Sequence, residues 1–444
     1  MKELGVLLPI FSLPSKYGIG DFGYEAEKFI DILCENGITY WEILPINACN
    51  DLPYSPISYY ALEEEYISLD RLKEEGLVEN PIIIENEEKV QRNYKEKYYR
   101  EAFSKFSMTE EYYKFKSNIN LLNYAKYMKE HYNRDEEYIM FLQFILDKQW
   151  NEIRNYANKK NVKIVGDMPI YPAMDSADVE SNLLCFELNN GNAEYIAGVP
   201  PDDFNPNGQK WGNPVYNFDY IRKNNYSYLI ERYKEYIKRF DVVRIDHFRA
   251  YDSFFKIPVN GDAKNGVYEK GPGYEFFDEL LKIANPENFW VEDLGDIRKE
   301  TIALKEHYNF LGQNITIYSI DINGKKDTAY DDEKIVNYIS NHDTDTAVGW
   351  YNNLSFFNKL KLKKYFNIYG SSSFKINESF IKYLLNTKSR ISVFTVQDIL
   401  GLDNNSRINR PGVESKDNWS WKLKSFDELE KKIKILNNIR KNEV

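Results

Sequence analysis

Between residues 241 and 250 the chain reads Asp-Val-Val-Arg-Ile-Asp-His-Phe-Arg-Ala, a β-branched apolar run that ends in charge. Arg244 and Asp246 lie two apart, so on a strand both project to one side, where the guanidinium would keep the carboxylate ionised. A buried Asp–Arg structural pair would look the same in isolation. The pattern recurs, however. Glu292 and Asp293 close the run that starts at Phe289, Asp167 follows residues 162–165, His342 and Asp343 follow 335–339, and Asp398 follows 391–396. Two of the four histidines, His247 and His342, adjoin such an acid. His131 and His307 sit in charged, helical surroundings and are given no role.

Three chemistries suit acids gathered at strand ends. A divalent metal would need several carboxylates and histidines on one ion, and no two candidates here show a local chelating spacing. Nucleophilic chemistry at Ser or Cys lacks an elbow motif. Glycosyl transfer needs one carboxylate as nucleophile and another as general acid/base, about 5–5.5 Å apart for retention, and fits best. Asp246, paired with Arg244, suits the first role. An acid beside Trp290 suits the second, because an apolar setting keeps a carboxyl protonated; composition leaves Glu292 and Asp293 equal here.

Such acids work together only if the fold brings the strand ends to one face. Apolar runs near residues 5, 40, 162, 242, 289, 315, 335 and 391 alternate with amphipathic helical stretches, as in a parallel sheet with crossover helices. Eight is the number that closes a (β/α)8, or TIM, barrel, whose strand C-termini meet on one face. The expected fold is therefore α/β, a (β/α)8 TIM barrel forming one catalytic domain over residues 1–444. Residues 47–160 form a mostly helical insertion between strands two and three, and no C-terminal β-sandwich is expected. Strand six is placed at 315–320. The stretch 170–219, rich in Pro, Gly, Asn and aromatics, reads as a long active-site loop without regular structure. A last helix starts at Ser425, with Glu428 completing a capping box.

Composition narrows the class. A net charge of -11 argues against a phosphate-backbone partner, so no nucleic acid is expected. The three cysteines, Cys34, Cys49 and Cys185, are too scattered for a disulfide framework or a zinc site, which points to a reducing, cytoplasmic setting. No apolar run approaches the ~20 residues of a membrane span, so no membrane partner is expected either. The loop glycines Gly18 and Gly20 lack the third glycine of a dinucleotide fingerprint.

The motifs along the chain are Gly5-Val-Leu-Leu-Pro, Gly18-Ile-Gly-Asp-Phe-Gly23, Tyr40-Trp-Glu-Ile-Leu-Pro45, Gly166-Asp-Met-Pro, Gln209-Lys-Trp-Gly-Asn-Pro214, Arg244-Ile-Asp-His-Phe-Arg249, Glu292-Asp-Leu-Gly295, His342-Asp343 and Asn418-Trp-Ser-Trp421. In this order, nearly end to end, they resemble the 4-α-glucanotransferases, also called amylomaltases or disproportionating enzymes, glycoside hydrolase family 77 of the α-amylase clan. The resemblance implies that Asp246 is the nucleophile, Glu292 rather than Asp293 the general acid/base, and Asp343 the third acid that holds sugar hydroxyls. It also implies that Arg244 and His342 support the reacting sugar and that Tyr54 stacks there. Trp211 would offer an aromatic platform on the acceptor side, and Asp293 would contact hydroxyls or brace the site. The implied reaction moves an α-1,4-glucan segment from one malto-oligosaccharide to the 4-hydroxyl of another, with no metal or organic cofactor. The expected partners are malto-oligosaccharides and glucans derived from starch or glycogen, handled by a monomer. An α-1,4-glucan hydrolase and a non-catalytic glucan-binding protein are the alternatives. Two positions depart from the family pattern, Asp203 where an aromatic is frequent and Thr344 where Asn is usual.

Overall fold

Short, largely buried runs, most of them rich in β-branched and aromatic residues, favour parallel strands sheathed by helices. The computed structural model describes residues 2–84, 87–201, 206–320, 332–366 and 373–442, and eight such runs pair in it. They are β1 (Glu3–Leu7), β2 (Tyr40–Glu42), β3 (Lys163–Met168), β4 (Val242–Ile245), β5 (Phe289–Val291), β6 (Gly312–Ile315), β7 (Ile335–Tyr338) and β8 (Ile391–Thr395). Neighbours run β5-β4-β3-β2-β1-β8-β7-β6, so sequential strands adjoin and β1 meets β8. The remaining gap is spanned by one parallel bridge, Trp290 to Leu311, with Val291 N–H donating to the Leu311 carbonyl at 2.8 Å. The result is a nearly closed (β/α)8 barrel. Among the described residues no β-sandwich follows it.

Helix Tyr24–Glu35 shows how the outer layer is set. Ala26, Phe29, Ile30 and Leu33 make its buried stripe, and Gly37 at φ +64° supplies the left-handed turn that ends it. Between β2 and β3 the chain forms helices Leu69–Glu74, Glu96–Lys105, Glu110–Lys116, Ile119–Tyr132 and Glu136–Lys159. The last three start at Thr109, Asn118 and Asp135, whose side chains accept from first-turn N–H groups. Helix Glu136–Lys159 then buries Leu142, Leu146, Trp150, Ile153 and Ala157. The Lys95 ammonium is fully buried, 2.9 Å from Asp21 Oδ2 and donating to the Glu65 and Ile67 carbonyls, so it ties this insertion to the loop after β1.

Three expectations are corrected. The stretch 170–219 is not irregular: Tyr195–Val199 and Gln209–Pro214 join Ser253–Pro258 and Val267–Lys270 in a four-stranded antiparallel sheet. A register shift between Ile196 and Gly198 breaks the alternation that marks a strand. Strand six is Gly312–Ile315, sharing only Ile315 with the expected 315–320, and Thr316–Ser319 is a helical turn. Although residues 315–317 are a β-branched run, Ile315 already lies opposite Tyr338, where β7 stops, and no ladder remains to extend. The last helix begins at Asp427, and the Ser425 hydroxyl donates to the Asp427 carboxylate instead of forming the expected box. Asp203 lies outside the described residues.

Gly166 precedes Asp167 on β3 and sits under the Phe240 ring, which a Cβ there would approach to 2.3 Å. That ring is wedged against Trp150 and Tyr236 and cannot swing freely. Gly166→Ala is therefore expected to lower stability by about 1–3 kcal/mol in denaturant unfolding, the usual cost of overpacking. An unchanged midpoint and slope would mean that the strand tolerates the extra atom.

Candidate active site

Asp246 is the first residue beyond β4, and its N–H still donates to the Met168 carbonyl of β3 at 3.3 Å. The chain then turns through His247, a non-glycine residue at φ +47°. This left-handed turn aims the His247 N–H at Glu292 Oε2, at 2.7 Å. The side chains of Asp246 and Glu292 are 19% and 20% exposed, open enough to meet a ligand while largely shielded from water.

Between them lies the buried Arg244 guanidinium. Its Nη1 donates to both Asp167 oxygens at 2.8 Å and to Asp246 Oδ1 at 3.0 Å. Nη2 is 3.5 Å from Glu292 Oε2, and Nε donates to Gln313 Oε1 at 3.3 Å. Burial opposes the charge, but Asp167, Asp246 and Glu292 outweigh it, so Arg244 stays protonated. Asp167 in turn accepts the Tyr54 hydroxyl at 2.6 Å. Because the phenol has one proton and gives it to Asp167, its contact with His342 Nε2 at 2.8 Å makes that nitrogen the donor. The Tyr54 and His342 rings stack at 5.3 Å and 13°, with Trp419 tilted against both.

Beyond His342, Asp343 Oδ2 lies 3.4 Å from Nε2, and Asn409 Nδ2 donates to Asp343 Oδ1 at 2.7 Å. Arg407 ties the same loop, donating to the Asp343 carbonyl and pairing with Asp345. Asp398 braces it from below, accepting from Ser340 Oγ at 2.5 Å and Ala347 N at 2.8 Å. The Thr344 hydroxyl is engaged within the same turn, accepting from Asn341 N with the Asn341 and Asp345 carbonyls in reach of its one proton.

These surroundings push the acids apart. Burial, with Asp246 adding to it against the pull of Arg244, raises the Glu292 carboxyl to about 8. For Asp343 burial works upward as well, but His342 and Asn409 prevail and hold it at about 2. Burial and Arg249 lower His247 to about 4, so its ring is neutral. One carboxyl that keeps its proton and one that stays anionic at the same pH are the parts of an acid/base site.

Of the residues expected from sequence, Asp246, Glu292, Asp343, Arg244, His342 and Tyr54 come together in this network. Trp211, on Gln209–Pro214, joins at its edge, meeting the His247 ring at 5.0 Å and 87°. Asp293 faces elsewhere: Oδ2 is 2.6 Å from Lys305 Nζ and Oδ1 accepts the Gln313 N–H at 2.7 Å. Of the two roles expected of it, those contacts are the ones a brace between β5 and β6 would make. Sequence reading assigned nothing to Asp167, Gln313, Asn409 or Trp419. Asp167 had a signal, being an acid at a strand end, and Trp419 lay within the Asn418–Trp421 motif, whereas Asn409 reaches the site through tertiary structure alone.

Comparison with known proteins matches residues 8–136 and 122–427 to the model of the 4-alpha-glucanotransferase family, glycoside hydrolase family 77. The chain belongs to that family. The 4-alpha-glucanotransferase of Aquifex aeolicus is 34% identical to it, over 96% of each chain, and that of Thermus thermophilus is 30% identical over 95% of each. Among solved structures, the amylomaltase from Streptococcus agalactiae in complex with acarbose superposes with a TM-score of 0.93 at 29% identity, covering 100% of this chain and 99% of its own. The amylomaltase from Corynebacterium glutamicum, at 16% identity and a TM-score of 0.81, covers 100% of this chain and 75% of its own and shares the fold.

In this glucanotransferase-family site Glu292 also couples stability to pH. Its carboxyl moves from 4.5 to about 8 on folding, so the native protein holds that proton more tightly than the unfolded chain. The stability from this group is complete below pH 4.5 and is lost as pH rises toward 8. Glu292→Gln, which cannot ionise, is expected to gain thermal midpoint relative to the parent as pH rises across that window. Parallel pH–stability curves for the two proteins would contradict the shift.

Proposed function

We propose that Asp246, Glu292 and Asp343 carry out a retaining double displacement on an α-1,4-glucan. The chain is a 4-alpha-glucanotransferase, moving glucan segments between malto-oligosaccharides; the roles of its residues are our assignment. Asp246, which accepts from Arg244 Nη1 at 3.0 Å, attacks the anomeric carbon and forms a glycosyl ester as the glycosidic C–O bond breaks. Glu292 gives its proton to the departing oxygen. The acceptor's 4-hydroxyl then enters, Glu292 takes its proton back, and the new C–O bond displaces Asp246. Two inversions restore the α configuration. Asp343, anionic and 41% exposed, is placed to accept hydroxyls of the reacting sugar and to stabilise its oxocarbenium-like transition state.

The observation that carries this reading is the single guanidinium of Arg244, which pairs closely with Asp246 while Glu292, more distant from it, is pushed up to about 8. Tyr54 and His342 would present stacked ring faces to the sugar, and Trp211 a platform for the acceptor. In our reading residues 1–444 act as one catalytic unit, with 47–160 as an insertion and 170–219 carrying the acceptor side. We further place the enzyme in the cytoplasm, as a monomer acting on maltodextrins from starch or glycogen. Its three cysteines are all free thiols, which suits a reducing compartment.

Maltotriose alone tests the reaction. Glucose together with a ladder of longer maltodextrins is expected, whereas maltose and glucose in equal amounts with nothing longer would mean that water intercepts the ester. Asp246→Asn is expected to slow turnover by at least about 10³-fold, as loss of a nucleophile does. Turnover at the parent rate in that variant would remove Asp246 from its role.

A further inference from the structure

Beneath the reacting acids and Asp167 a further carboxyl lies inside the barrel. Glu42 ends β2 between Trp41 and Ile43 and is 1% exposed. An isolated carboxyl buried there would cost several kcal/mol, and its partners lead to the site. Glu42 Oε2 accepts the Tyr338 hydroxyl at 2.8 Å, and Gln313 Nε2 donates to that hydroxyl at 2.8 Å. Gln313 Oε1 accepts Arg244 Nε at 3.3 Å. Tyr338, Gln313 and Arg244 are all buried, so this relay crosses the barrel from β2 through β7 and β6 to β4.

The direction of the relay is set at its far end. Tyr338 has one proton, and while Glu42 accepts it the phenol oxygen must receive from the Gln313 amide. That choice turns the amide oxygen toward Arg244 Nε. Nε lies in the plane of the guanidinium, so fixing it fixes where Nη1 and Nη2 point, namely at Asp167, Asp246 and Glu292.

We propose that Glu42 is a positioning residue for glucan transfer, orienting the Arg244 guanidinium through Tyr338 and Gln313 and placing a proton-dependent charge beneath the nucleophile and the acid. This rests on the roles given above to Asp246 and Glu292. The groups that face Glu42 are Arg244 on β4, Asp167 on β3, and Tyr338 and His342 on and after β7. Burial raises its carboxyl to about 7, with Asp167 adding and Arg244, Tyr338 and His342 opposing. Its charge therefore changes near neutrality. An ionised Glu42 adds negative charge to the network around Arg244, which helps Glu292 keep its proton to higher pH.

The test is kcat and KM on maltotriose across pH for the parent, Glu42→Ala, Glu42→Gln and Tyr338→Phe, with a thermal midpoint for each. Glu42→Ala and Tyr338→Phe are expected to lose about tenfold or more in kcat with KM within about twofold, the pattern of an interaction made in the transition state. Glu42→Gln, whose amide oxygen still accepts from Tyr338, is expected to recover to within about threefold of the parent kcat. Its alkaline limb is expected to move to lower pH, because the charge that supported the Glu292 proton is gone. Parent-like kcat and pH profile in the folded Ala and Phe variants would overturn the proposal, as would a Gln variant that falls as far as Ala. Should Glu42→Ala fail to fold, Tyr338→Phe, which lacks a single oxygen, decides alone. The underlying reading fails separately: it falls if Asp246→Asn remains active, whatever Glu42 does.

Discussion

One buried guanidinium organises this molecule. Arg244 has acceptors on Nε, Nη1 and Nη2, and those acceptors come from three other strands or their ends: Asp167 on β3, Gln313 on β6 and Glu292 after β5. Asp246 completes the set from its own strand. Burying a cation among so many acids is stable only while every partner stays, because removal of one member of a buried pair costs about 3–5 kcal/mol. A lysine could supply the charge, but not the planar fork that meets Asp167 and Asp246 from one nitrogen while another addresses Gln313. The barrel supplies what the fork requires, namely strand ends converging on one face from residues as far apart as 167 and 313.

From that constraint the electrostatics of the site follow. A single positive group cannot neutralise three acids equally, so distance and burial decide which carboxyl keeps its proton. Asp246 is nearer to Nη1 than Glu292 is to Nη2, at 3.0 against 3.5 Å, and burial pushes Glu292 up to about 8. Asp343 is held low chiefly by His342 and Asn409, with a smaller contribution from Arg244. Opposite protonation preferences thus arise from geometry among residues of like chemistry.

Much of this was legible in the chain. Most of the strands are short, largely apolar runs, because strands buried on both faces have no alternation to hide behind, and the insertion shows as a mostly helical stretch. The small antiparallel sheet was not legible, since the bulge near Gly198 and the prolines around it erase period-two patterning. Neither was the place of β6, whose residues Gly-Gln-Asn-Ile make no apolar run and whose end is set by its neighbour. Glu292 and Asp293 show the boundary most clearly. Adjacent at a strand end, they project to opposite sides, one toward Arg244 and the other toward Lys305, and only resemblance to a family chose between them. Asn409 and Trp419 could not be found from spacing, being 66 and 77 residues from the Asp343 and His342 they accompany.

The left-handed turn at His247 carries a consequence for how this site tolerates mutational drift. The bond that orients Glu292 is donated by a main-chain amide, so exchanging the imidazole for another side chain leaves the donor in place. Proline alone deletes it, and proline, locked near φ -65°, cannot occupy a position at φ +47° at all. The orientation of Glu292 is thereby written into the path of the backbone, out of reach of most single-codon changes at the residue that provides it. Drift at this position would instead be felt as conformational strain, least for glycine and asparagine, which enter the left-handed region most readily.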